Sequence, residues 1–170
     1  MKKKVIIFCY WLLAVVAKTS SEEISLEVFF SPNGGCTAAI VKEINQAKQT
    51  IRVQAYGFTS KPIASALIVA KKRGVIVSVI LDKSNLSLPT SQLLNFRRQG
   101  ILVLIDARHS IAHNKIIIID DCKVITGSFN FTNNAEQNNA ENVVIINNKK
   151  TSATFSENWS IHAEHSRPAK

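Results

Sequence analysis

Glycine and proline are scarce, at six and four of 170 residues, while 46% of the chain is hydrophobic. That balance excludes a collagen-like, low-complexity or disordered polypeptide. Three cysteines, at 9, 36 and 122, are too few for a disulfide scaffold and form no Cys-x-x-Cys pair. Acidic residues are also few, 12 against 21 Lys and Arg, for a formal charge of +9. An excess of that size suits a polyanionic partner, either nucleic acid or an anionic membrane, without choosing between them. The length favours one domain, with enough apolar material for a core that needs no disulfide or metal staple.

The first 17 residues read differently from the rest. Lys2-Lys3-Lys4 precede an apolar run over residues 5–17 that ends at Ala17, the pattern of a secretory signal peptide. At about 1.5 Å per residue the run covers roughly 20 Å, short of the ~30 Å hydrocarbon core of a bilayer. Cleavage is expected after Ala17, or as late as residue 21, leaving a single domain over residues 18–170. Loss of Lys2, Lys3 and Lys4 leaves 18 Lys and Arg against 12 acidic residues, still basic. No later segment approaches membrane length, so no stable membrane partner is expected once the signal is removed. Asn85, Asn130 and Asn158 stand in glycosylation sequons. Asn130 also lies in the motif discussed below, where a glycan is intolerable, so the expected location is the bacterial periplasm or exterior. Cys36 and Cys122 are left either bridged or free and buried.

Along the remaining chain, residues 26–30 read as a strand, 37–49 as a helix and 51–56 as a strand. Residues 63–73 follow as a helix, 75–81 as a strand, 90–99 as a helix and 101–105 as a strand. This alternation predicts an α/β fold, a layered α-β-α sandwich with a mixed, mainly parallel sheet. Residues 115–119 and 123–126 flank Asp120-Asp121 as a hairpin. A strand over 143–146 and a closing helix over 150–163, anchored by Phe155 and Trp159, complete the pattern.

The chemistry is concentrated in eighteen residues. His113-Asn114-Lys115 is followed by four isoleucines, Asp120, six residues, and then Gly127-Ser128-Phe129-Asn130. A six-position match of this kind arises by chance on the order of once in 10⁵ chains of this length. Alternation along a strand sets His113 and Lys115 on one face, a nucleophilic imidazole beside a cation for phosphate oxygens. Gly127 permits a tight turn that carries Ser128 and Asn130 toward the same anion. Asp120 has the opposite parity to His113, which predicts a turn-holding or ion-pairing role and only an indirect one in catalysis.

This string resembles the HxKxxxxD and GSxN motifs of the phospholipase D superfamily, and the chain is most similar to its short exported bacterial endonucleases. The resemblance extends over FFSPNGGC, IRVQAYGFTS, AKKRGV, HNKIIIID, TGSFNFT and ENVVII. It implies an α/β phosphodiesterase that works through a covalent phosphohistidine on His113, with no cofactor and no metal. It further implies that Glu141 stands behind His113 to set its tautomer. Because the chemistry uses two histidines and the chain holds one motif, it implies a homodimer with a shared active site.

Other assignments compete. His109 and His113 are spaced i,i+4 and His162 and His165 i,i+3, as zinc ligands often are. No Cys or carboxylate completes either pair in the sequence, so solvated roles are expected. The expected substrate is DNA, or RNA, bound without sequence preference, since nothing resembles a base-reading module. A phospholipid hydrolase and a non-catalytic nucleic-acid-binding protein are the alternatives.

Overall fold

The computed structural model describes residues 24–169, so the expected signal sequence lies outside the described residues. The chain runs β1 (Ser25–Ser31), α1 (Cys36–Gln46), β2 (Thr50–Ala55), α2 (Lys61–Lys72), β3 (Ile76–Asp82), a 3₁₀ turn (Lys83–Leu86), α3 (Leu93–Arg98) and β4 (Leu102–Asp106). It continues β5 (Lys115–Ile119), β6 (Lys123–Gly127), α4 (Asn133–Gln137), β7 (Glu141–Asn147), α5 (Lys149–His165) and β8 (Arg167–Pro168). The strands form one sheet in the order β1-β7-β6-β5-β2-β3-β4-β8.

The sheet is mixed, but parallel pairing is confined to β2–β3 and β3–β4, and every other pairing is antiparallel. The expectation of a mainly parallel sheet is corrected by β1. It is followed by a helix, as in a parallel unit, yet it pairs with β7 at the far edge instead of with β2. Periodicity shows that strands and helices alternate; it does not show which strand lies beside which.

Two apolar layers sandwich the sheet. On one face, Ile40 and Ile44 of α1, Ile63 and Leu67 of α2 and Phe96 of α3 pack on Val53, Val79, Ile117 and Ile145. On the other, Trp159 of α5 closes a smaller layer with Ile80, Leu104, Ile116, Ile118 and Val124. The continuous isoleucine run of β5 is therefore buried on both faces, as a central strand requires. Trp159 also donates its indole N–H to the Val53 carbonyl at 3.0 Å, so its polar edge is satisfied inside the core.

Local signals fix the helix ends. Ser60 caps α2, its hydroxyl accepting from the Ile63 amide, and Gly74 at φ +95° ends it, a conformation that favours glycine. Asn148 caps α5 through an amide bond from Thr151 at 2.8 Å. Asp120 and Asp121 both take left-handed φ values, 52° and 50°, and the Cys122 amide bonds the Ile119 carbonyl. That is a type I′ turn, the geometry whose twist matches a hairpin. Cys36 and Cys122 are both free, Cys36 being buried.

Candidate active site

The alternating strand directions bring one end of the sheet together. Tyr56 follows β2, His113 and Asn114 precede β5, Ser128 follows β6 and Glu141 opens β7. Ala55 pairs with Lys115, Gly127 with Val143, and Ser31 with Glu141. Residues far apart in sequence thus share a single rim.

His113 stands just ahead of β5 and not within it, exposed at the rim. The Tyr56 amide donates to the Asn114 carbonyl at 2.9 Å, which carries the β2–β5 pairing up to the histidine. The Tyr56 and His113 rings lie 4.7 Å apart between centroids, tilted by 54°. Lys115 is 7% exposed, with its ammonium on the His113 carbonyl at 2.6 Å and 5.5 Å from the Tyr56 ring centre. Burial lowers the Lys115 pKa, and the Glu141 carboxylate opposes that by favouring the cation.

The GSxN turn is built by alternation. Phe129 and Phe131 are buried while Ser128 is exposed and Asn130 half-buried, so two aromatic plugs anchor the turn that carries both polar residues. Phe131 meets Phe58 edge-on at 5.4 Å, and its carbonyl accepts from the Thr59 and Ser60 amides. Gly127 has φ +145°, and a Cβ there would collide with the Asn142 carbonyl oxygen. The Ser128 hydroxyl accepts from the Asn142 amide at 3.0 Å, which leaves its own proton to donate outward. The Asn130 Oδ1 is buried with no protein partner. Gly57 flanks that amide, and a Cβ at 57 would lie in ordinary contact with Oδ1 at 3.8 Å.

A hydroxyl donor, an amide, a buried ammonium and an exposed imidazole at one strand-end rim form a site for a tetrahedral oxyanion beside a nucleophile. The sequence profile of the family described as "Cardiolipin synthase, PLD-like domain" matches residues 40–161, most of the chain. The chain belongs to the phospholipase D superfamily. The members of this superfamily are phosphodiester-bond hydrolases.

Two relatives illustrate the range. A protein named phospholipase D from Rickettsia prowazekii is 48% identical over 130 residues, 76% of this chain and 63% of that protein. A mitochondrial cardiolipin hydrolase from Danio rerio is 29% identical over 135 residues, covering 76% of this chain and 58% of that one. The chain therefore spans less than two thirds of these relatives' length. Among solved structures, the phospholipase D family member Nuc from Salmonella typhimurium superposes with a TM-score of 0.84 at 38% identity, over 87% of this chain and 99% of that one. NucT from Helicobacter pylori shares the fold, with a TM-score of 0.81 at 23% identity.

Within this phospholipase D-like site, the motif residues divide. His113, Lys115, Ser128, Asn130 and Glu141 gather at the rim. Asp120 lies at the opposite end of β5, where its carboxylate accepts from the Lys48, Gln49 and Thr50 amides at 2.7–2.9 Å. Glu141 accepts from the Asn139 side chain at 3.1 Å and acts electrostatically on Lys115. Among the described residues no carboxylate bonds the His113 ring: the expected Glu141–His113 pairing is not formed, and the Glu141 charge acts on Lys115 through space, without a direct ion pair. Tyr56 and Asn142 also belong to the rim, through the His113 ring and the Ser128 hydroxyl, and neither lies in the His-x-Lys or Gly-Ser-x-Asn pattern. The aromatic just after β2 was the available signal for Tyr56.

The histidine pairs also need correction. A carboxylate does complete His162 and His165: that of Asp106, fully buried at the end of β4, with His109 alongside. Burial alone would raise the Asp106 pKa, but the bonds from His162, His109 and His165 hold it far below the usual carboxylate range. Asn85, one of the three sequons, is 3% exposed and donates to the Tyr56 and Asp82 carbonyls.

Proposed function

We propose that this chain is a metal-independent nuclease that cleaves DNA, and RNA, internally and without sequence selection through a covalent intermediate on His113. The observation that carries the reading is the exposed His113 ring, without a carboxylate partner among the described residues, beside the buried Lys115 ammonium on the phospholipase D motif. In this reading a ring nitrogen of His113 attacks phosphorus, and the P–O bond to the leaving nucleoside oxygen breaks. Lys115, Ser128 and Asn130 hold the non-bridging oxygens, so charge neutralisation comes from side chains already in place. The leaving oxygen takes its proton from a second imidazole. Water then attacks phosphorus, gives that imidazole its proton, and the P–N bond breaks to release a phosphate monoester.

The second imidazole is His113 of the partner subunit in a two-fold homodimer. The chain has one His-x-Lys, and a two-fold axis beside the rim presents the same group twice. The edge strand supports this: Leu26, Val28 and Phe30 are 59%, 51% and 65% exposed on one face of β1, which ends opposite Glu141. A second copy covering that strip removes apolar surface from water at the edge of the site.

The substrate reading rests on the basic charge and on the match along 99% of Nuc, a chain of similar extent. The relatives named phospholipase D and cardiolipin hydrolase favour a second reading, a phospholipid headgroup ester. The test sets supercoiled plasmid, single-stranded RNA and vesicles of phosphatidylcholine with cardiolipin before wild type and His113→Ala, with and without EDTA. Plasmid nicking that needs His113 and survives EDTA is expected. Release of headgroup or phosphatidic acid with no nicking replaces the nuclease by the lipid reading.

A further inference from the structure

A second constellation lies away from the catalytic rim, at the end of β4. Asp106 Oδ2 is 2.9 Å from Nδ1 of His109, 2.9 Å from Nδ1 of His162 and 3.3 Å from Nε2 of His165. One donor atom from each of the four residues lies within 4.8 Å of every other. The three imidazole rings pack at 4.8–5.2 Å between centroids. Three nitrogens thus converge on one carboxylate oxygen, more than its lone pairs accept as hydrogen bonds.

The fold builds this convergence. His162 and His165 share one face of the last turn of α5 at i,i+3 spacing. After that turn, β8 returns antiparallel to β4, pairing Pro168 with Leu104 and Arg167 with Ile105, and so pins the end of α5 over Asp106. The other Asp106 oxygen accepts from the Arg108 and His109 amides at 3.1 and 3.4 Å, which fixes the carboxylate's orientation from behind. The Lys83 ammonium holds the His109 carbonyl at 3.0 Å. The His162 and His165 side chains are 14% exposed and His109 is 44% exposed, so the carboxylate and two rings are enclosed while His109 borders solvent.

We propose that Asp106, His109, His162 and His165 bind one zinc ion that fastens the loop carrying His113 to the end of α5. Three neutral imidazoles and one carboxylate are a donor set that suits zinc, and four ligands close a structural site. A tetrahedral ion with bonds of about 2.0–2.1 Å sets its donors roughly 3.3–3.4 Å apart; the nitrogens lie 2.9–3.3 Å from Asp106 Oδ2, and the widest donor pair, within 4.8 Å, draws inward on the ion. Ligation turns each imidazole lone pair inward and ends the competition of three rings for one oxygen. His109 is four residues before His113, and the loop between them is held elsewhere by the Ala112 amide on Asp82 at 2.8 Å. The ion is therefore a staple for the nucleophile's loop, distinct from the phosphoryl chemistry, which uses the Lys115 cation.

The experiment reads metal and not turnover, so it stands whether or not the nuclease reading does. Untagged protein is incubated with excess zinc chloride, desalted and assayed for zinc by plasma mass spectrometry, and its thermal midpoint is recorded. Wild type and His113→Ala are expected to retain about one zinc per chain, with the midpoint raised about 5–10 °C. His162→Ala/His165→Ala is expected to retain less than roughly a fifth of that amount and to show no metal-dependent shift. Should the double variant fail to fold, His109→Ala alters only an exposed loop side chain. It is expected to weaken zinc at least about tenfold in competition with a chromophoric chelator. Wild type that leaves the desalting column without zinc, or variants that hold as much as wild type, overturn the proposal. So does loss of the ion in His113→Ala, which would place it at the catalytic histidine.

Discussion

The Lys115 ammonium donates to the His113 main-chain carbonyl at 2.6 Å, so the cation of the site is anchored to the residue that carries the imidazole. Lys115 cannot move without disturbing the backbone of His113. Its position is set by the first pair of β5, Ala55 with Lys115. The ring of His113, by contrast, is exposed and, among the described residues, meets the Tyr56 ring. An anchored cation beside an exposed imidazole is what the proposed covalent phosphoryl transfer asks of Lys115 and His113.

Replacing His113 by Ala is expected to reduce phosphodiester cleavage by at least about 10³-fold. The thermal midpoint should stay within a few degrees of wild type, because an exposed ring outside the core contributes little to stability. Bis-p-nitrophenyl phosphate turnover and a melting curve together check this. A variant keeping a tenth of the activity would assign the nucleophile elsewhere.

Glu141→Gln is expected to change the pH profile. Burial lowers the Lys115 pKa and Glu141 opposes it, so removing that charge lowers it further. The phosphate clamp needs the ammonium, which is lost as pH rises through the Lys115 pKa. The alkaline limb of kcat/KM should therefore move to lower pH in the variant, with the acid limb in place. Rates between about pH 5 and 10 show the shift. An alkaline limb that stays put would detach Glu141 from Lys115.

Asp120→Asn is expected to destabilise the fold by about 1–2 kcal/mol without changing the catalytic pH profile. Burial would raise the Asp120 pKa, but the amides of Thr50, Gln49 and Lys48 outweigh it and hold it below 3.8. A carboxyl with a depressed folded pKa contributes stability above its unfolded pKa and loses it as pH falls through the folded one. The gap between wild type and variant should hold from neutrality to about pH 5 and narrow as pH falls below the unfolded carboxyl's pKa toward the lower folded one. Urea melts at several pH values measure it; a gap that does not narrow on acidification contradicts the assignment.

Gly127→Ala forces a left-handed φ and a collision with the Asn142 carbonyl. A loss of about 2–4 kcal/mol is expected, with catalysis impaired beyond the loss of folded protein because Ser128 is held by Asn142. Activity per folded molecule, corrected by circular dichroism, separates the two effects. Full activity in the folded fraction would free Ser128 from any part in the site.

Mixing subunits tests the shared site. If each site uses His113 of both subunits, reassociating wild type with excess His113→Ala should reduce activity as the square of the wild-type fraction. A linear fall, or a fully active monomer in sedimentation, would place both acid and nucleophile within one chain.

The sequence by itself determined the alternation of strands and helices, because apolar spacing records which face of each element is buried. It also determined the Asp120-Asp121 hairpin, through the short polar link between two apolar runs. The phosphate-directed motif was legible there too, since His113, Lys115, Ser128 and Asn130 lie within eighteen residues. The opposite parity of Asp120 already separated it from that group. Tertiary structure decided what depends on distant chain meeting. Only strand order sends β1 to the edge beside β7 and makes most pairings antiparallel. Only the β2–β5 register sets Tyr56 against His113, and only the arrangement of strands brings the Glu141 charge within reach of Lys115. His162 and His165 lie 56 and 59 positions from the carboxylate they meet. No local spacing encodes that meeting: β8 pairing with β4 pins the end of α5 above Asp106, and the convergence of four side chains follows from the packing.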